Sequence, residues 1–201
     1  MRACLVTPAV VLKAKPYGES DKIVSFLTEK HGKITGIAKG AKRSRKRFVN
    51  SLEPFSLVNL RFYERPQSSL VFIFSSDLLF GFPKLVTSLD KISFASYLVE
   101  ITDGLIRERD EEPRIFQHLK DGLGYLNEND ASLRFLTSFE LKLLSLAGYH
   151  PFLVYFIEEE PVDIDISARD GGNGGDSRRP VCLEAGGFFY EIELVIKVGY
   201  F

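Results

Sequence analysis

Cysteine is scarce in this chain of 201 residues: only Cys4 and Cys182 are present, at opposite ends. The pair leaves a single disulfide open, but so sparse a set fits a reducing, cytoplasmic compartment better than a secreted one. No apolar run approaches the length of a membrane span, and Met1-Arg2-Ala3-Cys4 opens no secretory signal pattern. His31, His118 and His150 stand alone, without the spacing of metal ligands. Asp163 and Asp165 lack the glycine and terminal glutamate of a calcium hand. No Ser-His-Asp or Cys-His grouping follows from spacing, so hydrolytic chemistry has no visible footing. What the chain does hold is core material: 45% hydrophobic and 12% aromatic residues, enough for one large domain or two small ones.

The net charge of −1 conceals an asymmetry. Residues 1–50 carry twelve Lys/Arg against three Asp/Glu, whereas residues 77–201 carry twelve against twenty-two. The N-terminal part therefore favours a polyanionic partner and the remainder does not. The asymmetry peaks in Ala38-Lys39-Gly40-Ala41-Lys42-Arg43-Ser44-Arg45-Lys46-Arg47, where six of ten side chains are cationic. Like charges so close repel one another, which points to an anionic partner such as a nucleic-acid backbone, against the alternative of a merely solvated loop. The same stretch fails as a nucleotide-hydrolysing phosphate loop: the glycine spacing is wrong and Arg43 stands where a metal-binding hydroxyl belongs. Gly171-Gly172-Asn173-Gly174-Gly175-Asp176 is one copy of a glycine-rich repeat that needs many copies to stack, and reads as linker.

Hydrophobic alternation predicts five strands: Ala9–Lys15, Lys22–Thr28, Lys33–Ala38, Leu57–Tyr63 and Leu70–Phe74. Pro16-Tyr17-Gly18-Glu19 and His31-Gly32 mark turns between them. Five short strands with a longer connection after the third fit a closed barrel of the oligonucleotide-binding type, whose closure removes exposed edges. In the fourth strand Val58, Leu60 and Phe62 share the core face, leaving Arg61 and Tyr63 outward as candidates for base contact, Tyr63 by stacking or as ordinary surface packing. From Pro83 to Gly148 the period becomes helical. Leu85, Leu89, Ile92, Leu98, Ile101 and Leu105 form one stripe, Pro113 starts a second helix weakened by Gly122 and Gly124, and Asp130 is the expected N-cap of a third. The order, strands and then helices, is α+β. Ser167–Pro180 is expected to be a flexible loop, and Leu183–Tyr190 a short hairpin.

Several segments, in this order, resemble the RecO family of bacterial recombination mediators. They are Ala9-Val10-Val11-Leu12, Tyr17-Gly18-Glu19-Ser20-Asp21, Leu27-Thr28 through Gly32, Ala38-Lys39-Gly40-Ala41-Lys42-Arg43 and Leu52-Glu53-Pro54-Phe55. Phe139-Glu140-Leu141-Lys142-Leu143-Leu144, Gly148-Tyr149-His150-Pro151 and Glu184-Ala185-Gly186-Gly187 continue the series. The resemblance implies an oligonucleotide-binding barrel over residues 1–80 and a helical C-terminal domain over 81–201. It implies a non-enzymatic protein of the bacterial cytoplasm and nucleoid that binds single- and double-stranded DNA and anneals complementary strands. With a RecR partner it would help load RecA onto DNA coated by single-strand-binding protein, whose acidic, phenylalanine-ended tail would dock on the helical domain. On this reading Lys39, Lys42, Arg43, Arg45, Lys46, Arg47, Arg61 and Tyr63 are the expected DNA-binding residues. The alternative is a scaffold for RecR and single-strand-binding protein that does not bind DNA productively.

The chain departs from the family in one respect. Many members carry a four-cysteine zinc module after the third helix; here the corresponding positions are Phe156, Glu159, Tyr190 and Glu193. Without thiols no zinc is expected, and residues 152–201 read as a cysteine-poor remnant of that module. The chain also stops soon after Tyr200, earlier than the family's usual length, so the final helices of the second domain are expected to be missing.

Overall fold

The computed structural model describes residues 4–44, 46–65, 68–149, 180–185 and 188–193. Strict alternation in β4 (Leu57–Tyr63) puts Val58, Leu60 and Phe62 at 0% exposure, while the odd-numbered residues remain half-exposed. It closes a barrel with β1 (Cys4–Tyr17), β2 (Asp21–Thr28), β3 (Lys33–Ala38) and β5 (Val71–Phe80), in the order β1-β2-β3-β5-β4. Ala9, Val11, Val24, Phe26, Ile34, Val71 and Ile73 fill its interior together with the β4 residues.

Two strands run further than the alternation indicated. Strand β1 begins at Cys4 because its first half pairs with β4 (Cys4↔Tyr63 to Val10↔Leu57) and its second half with β2 (Ala9↔Thr28 to Tyr17↔Asp21). Pro8, which has no N–H to give to a sheet ladder, leaves its carbonyl to accept from the Glu29 N–H at 3.0 Å. Strand β5 continues to Phe80 through a bulge opposite Arg61 and Phe62, where Ser75 and Ser76 are both buried. Two successive buried serines break the period-two pattern, and Ser76 is accommodated by reciprocal hydrogen bonds with Ser51 (2.7 and 3.3 Å).

After β5 a short 3-10 helix, Pro83–Thr87, precedes α1 (Leu89–Leu105), α2 (Pro113–Glu128) and α3 (Leu133–Leu146). Pro113 occupies the first turn of α2, as its missing N–H favours. The N-cap of α3 is Ser132 rather than Asp130: the Ser132 hydroxyl accepts from the Phe135 N–H at 3.3 Å. A cap must immediately precede the first helical residue for its oxygen to reach the free N–H groups, and Asp130 lies two residues too early. Gly122 lowers helix propensity but admits Phe139 of α3; an added Cβ would lie 2.7 Å from the ring. His118 stacks on the same ring at 4.2 Å.

The helices bury the outer face of β1 and β2. Val10, Leu12 and Leu27 belong to a second core with Leu85, Leu98, Phe116, Leu119 and Leu123. Barrel and helices thus form one compact unit, Met1–Gly148, and Tyr149–Phe201 form another. In the second unit β6 (Pro180–Ala185) and β7 (Phe188–Glu193) pair antiparallel, with Cys182 opposite Glu191. Tyr190 and Glu193 fall on β7, whereas Phe156, Glu159 and the glycine-rich loop up to residue 179 lie outside the described residues. None of the four zinc-module positions carries a thiol, so this donor set does not fit a structural zinc site. Among the described residues no helix is long and apolar enough to cross a membrane.

Candidate nucleic-acid interface

The connection between β3 and β4 carries the basic run and is pinned from below by apolar side chains. Ala41, Phe48 and Leu52 are buried in the barrel core. Around these pegs Lys39, Lys42, Arg43 and Lys46 are exposed and Arg47 is half-buried; Arg45 lies outside the described residues.

The turn between β1 and β2 holds the loop in place. The Asp21 carboxylate accepts from the Gly40 N–H at 2.8 Å and from the Ser20 hydroxyl at 3.0 Å. The Lys42 N–H donates to the Ser20 carbonyl at 2.9 Å, and its ammonium to the Gly18 carbonyl at 2.8 Å. The Tyr17–Asp21 and Ala38–Arg43 segments, remote in sequence, are therefore one hydrogen-bonded structure. Arg47 closes the loop on itself: its guanidinium donates to the Lys39 carbonyl at 2.8 Å and lies 5.0 Å from the Phe48 ring centroid. The Arg47 carbonyl in turn accepts from the Ser76 N–H at 2.9 Å, tying the loop to β5.

The bond from Gly40, and after it the Ser20 hydroxyl, hold the Asp21 carboxyl below its ordinary pKa, with Lys39 and Lys42 adding to the effect. A depressed carboxylate pKa means the anchor is present at neutral pH and is lost as pH falls through the acidic range. Asp21→Ala is accordingly expected to free the loop while leaving its charges in place. Limited trypsin digestion should cleave within residues 39–47 several-fold faster than in the parent protein, and unchanged cleavage would show that Asp21 is not the anchor.

Among the described residues none of Lys39, Lys42, Arg43, Lys46 and Arg47 enters an ion pair; the nearest pair is Lys22 with Glu53 at 2.9 Å. A cavity of about 540 Å³ under the loop is lined by Lys22, Lys42, Ser44, Phe48, Asn50 and Glu53 among others. The loop thus presents an excess of positive charge, offset only in part by Asp21 near Lys39 and Lys42, on a braced backbone, the arrangement suited to phosphate contact.

Arg61 and Tyr63 form a second group, on the outer face of β4, with β5 between them and the loop. Arg61 pairs with Asp77 at 3.3 Å, which spends part of its charge within the protein. Tyr63 packs against Phe72 (6.4 Å between ring centroids) and edge-on against Phe74 (5.9 Å). The neighbouring Cys4 thiol pushes the Tyr63 hydroxyl above its ordinary pKa. Phe72 and Phe74 were not singled out from the sequence, although Val71-Phe72-Ile73-Phe74 alternates and so puts both phenylalanines opposite the core residues. Among the described residues no three His, Cys, Asp or Glu side chains group closely enough to hold a metal ion.

Closed barrel, braced basic loop and three helices laid on the barrel's β1–β2 face together define an oligonucleotide-binding-type barrel with an appended helical domain. Residues 1–82 match the family model described as Recombination protein O N terminal, and residues 86–158 match Recombination protein O C terminal. The chain belongs to the RecO family of DNA repair proteins. It is 41% identical over 152 residues to the DNA repair protein RecO of Syntrophus aciditrophicus (strain SB), covering 76% of this chain and 59% of that protein. With its counterpart from Syntrophobacter fumaroxidans (strain DSM 10017 / MPOB) it shares 41% over 147 residues, 73% of this chain and 58% of the relative. With that from Anaeromyxobacter dehalogenans (strain 2CP-C) it shares 36% over 177 residues, 88% of this chain and 65% of the relative. The chain thus spans less than two thirds of the length of these curated relatives.

Proposed function

We propose that this protein is a DNA-binding mediator of DNA repair that acts by binding and positioning strands rather than by catalysis. The observation that carries this reading is the basic loop: cations that enter no ion pair among the described residues, on a backbone fixed by Asp21, Ser76 and buried Phe48. Such a loop neutralises phosphates without reading sequence, which suits single- and double-stranded DNA alike and the annealing of complementary strands. Arg61 and Tyr63 extend the interface onto the barrel wall. RecR, and through it RecA, are the proposed partners on single-strand-binding-protein-coated DNA, with action in the bacterial cytoplasm at the nucleoid.

For the acidic tail of single-strand-binding protein, the helical part must supply a local basic rim, because that part of the chain is acidic overall. Lys84 pairs with Glu128, Arg109 with Glu64 and Arg114 with Glu112, so these three cations are already engaged. Lys91, Arg107, Lys120, Arg134 and Lys142 are the remaining candidates, since none has an ion-pair partner among the described residues.

The reading is tested by titrating oligonucleotide binding with salt. Engagement of all six loop cations with single-strand phosphates gives a log–log slope near ~−4, at about −0.7 per phosphate. A slope near zero, or no binding at low salt, would favour the scaffold reading instead.

A further inference from the structure

Oligonucleotide-binding barrels commonly take nucleic acid on the face of their second and third strands. Here that face is obstructed. Leu27 of β2 and Leu12 of β1 are buried beneath the helices. At the β3 end the Lys33 ammonium is held by the Asp103 carboxylate at 3.2 Å, and the Thr35 hydroxyl by the Glu108 carboxylate at 2.8 Å. A strand laid there would meet two carboxylates and the flank of α1.

The outer face of β4 and β5 differs on each count. Tyr63, Phe72 and Phe74 lie together on it, with Phe74 exposed at 43% and Val6 of the neighbouring β1 at 48%. Its carboxylates are compensated: Asp77 pairs with Arg61, and Glu64 with Arg109 at 2.9 Å. The loop cations adjoin the same strand, because the Arg47 carbonyl is bonded to the N–H of Ser76, two residues beyond Phe74.

We propose that Tyr63, Phe72 and Phe74 form a stacking platform for the unpaired bases of single-stranded DNA whose phosphates run along the basic loop. This rests on the DNA-binding reading given above and adds to it the basis of a strand preference. Phosphate contacts are shared by single strands and duplexes, whereas an aromatic face can take only bases that are not already stacked in a helix. The occupant is argued from charge: an apolar, charge-compensated patch bordered by an excess of cations matches a ligand with flat apolar faces on an anionic backbone.

The test compares three fluorescently labelled probes of one length at fixed salt: oligo-dT, an abasic single strand, and a duplex. The parent protein should bind oligo-dT roughly tenfold or more tighter than the abasic strand, the worth of one to two stacked bases. Phe74→Ala should erase most of that ratio and leave the salt slope unchanged, while Phe74→Tyr should keep the ratio. Phe74 is exposed, so its truncation is compatible with folding, and a thermal melt checks this. Equal binding of oligo-dT and the abasic strand by the parent protein, with a slope near ~−4, would remove the platform and leave the phosphate clamp standing. A ratio intact in Phe74→Ala would also overturn the platform and leave this face to a protein partner. Absence of binding to every probe at low salt would sink the DNA-binding reading and the platform with it.

Discussion

Gly32→Ala should destabilise the protein by roughly 2–5 kcal/mol, more than other single glycine-to-alanine changes in the barrel. Two costs coincide there. Gly32 has φ +62°, a conformation that an L-residue adopts at about 1–2 kcal/mol. An added Cβ would also lie 2.2 Å from the carbonyl oxygen of Asp110 and 2.8 Å from its nitrogen. These are backbone atoms of the segment that joins α1 to α2, so no rotamer change relieves the clash. Relief requires the segment to move away, which would strain the Arg109 N–H to Lys33 carbonyl bond (2.9 Å) and the Lys33–Asp103 pair beside it. Gly36→Ala makes a useful comparison. Its Cβ would meet Val71 and Ile73 side chains at 2.6 and 2.8 Å, a steric cost of about 1–3 kcal/mol without the conformational one. Gly18→Ala, with φ +57° and nothing within 4 Å, carries only the conformational cost. Urea unfolding should rank Gly32→Ala as most damaging; a change there no larger than at Gly18 would mean that the Asp110 segment does not press on this turn.

Replacing Lys39, Arg43 and Lys46 together by alanine should halve the salt dependence of DNA binding without touching stability. These side chains are exposed and make no hydrogen bond or ion pair among the described residues, unlike Lys42 and Arg47, which brace the loop. Removing them therefore deletes charge alone, and the melting transition should stay within the ±0.5 kcal/mol typical of surface changes. With six phosphates engaged, the parent protein should lose about 300-fold in affinity between roughly 50 and 200 mM salt; with three, the loss should be about 20-fold. Equal salt dependence in the two proteins would take the loop out of the interface, whatever the absolute affinities. A triple variant that unfolds would instead show that the loop charges are structural, which the absence of partners argues against.

The parts of this molecule that could be read along the chain are those governed by short periods and local composition. Val58, Leu60 and Phe62 alternate with Arg61 and Tyr63, so the inner and outer faces of β4 followed directly. Six cations in ten residues mark a concentration of positive charge that needs no knowledge of the fold. The two extra lengths of strand and the cap of α3 were not legible in the same way. Strand β5 passes through two buried serines, of which Ser76 is held by Ser51, and β1 is long because it serves two partners at once. The choice of Ser132 over Asp130 depended on where the first turn of α3 starts, at Leu133, directly after Ser132.

The sequence by itself determined the order of strands and helices, the inward faces of the strands and of α2, and the concentration of positive charge after β3. These depend on neighbours within a few residues. The stripe expected for α1 failed at Leu89, which is 78% exposed, because that helix buries Ala95, Leu98, Val99 and Thr102 instead. Only the tertiary structure decided that Asp21 holds Gly40 across nineteen positions, that Gly32 receives the backbone of Asp110, and that the helices cover the β1–β2 face while leaving Tyr63, Phe72 and Phe74 open. Those outcomes depend on which surfaces meet when the barrel closes and the helices dock, and contacts between segments so far apart leave no periodic trace in the chain.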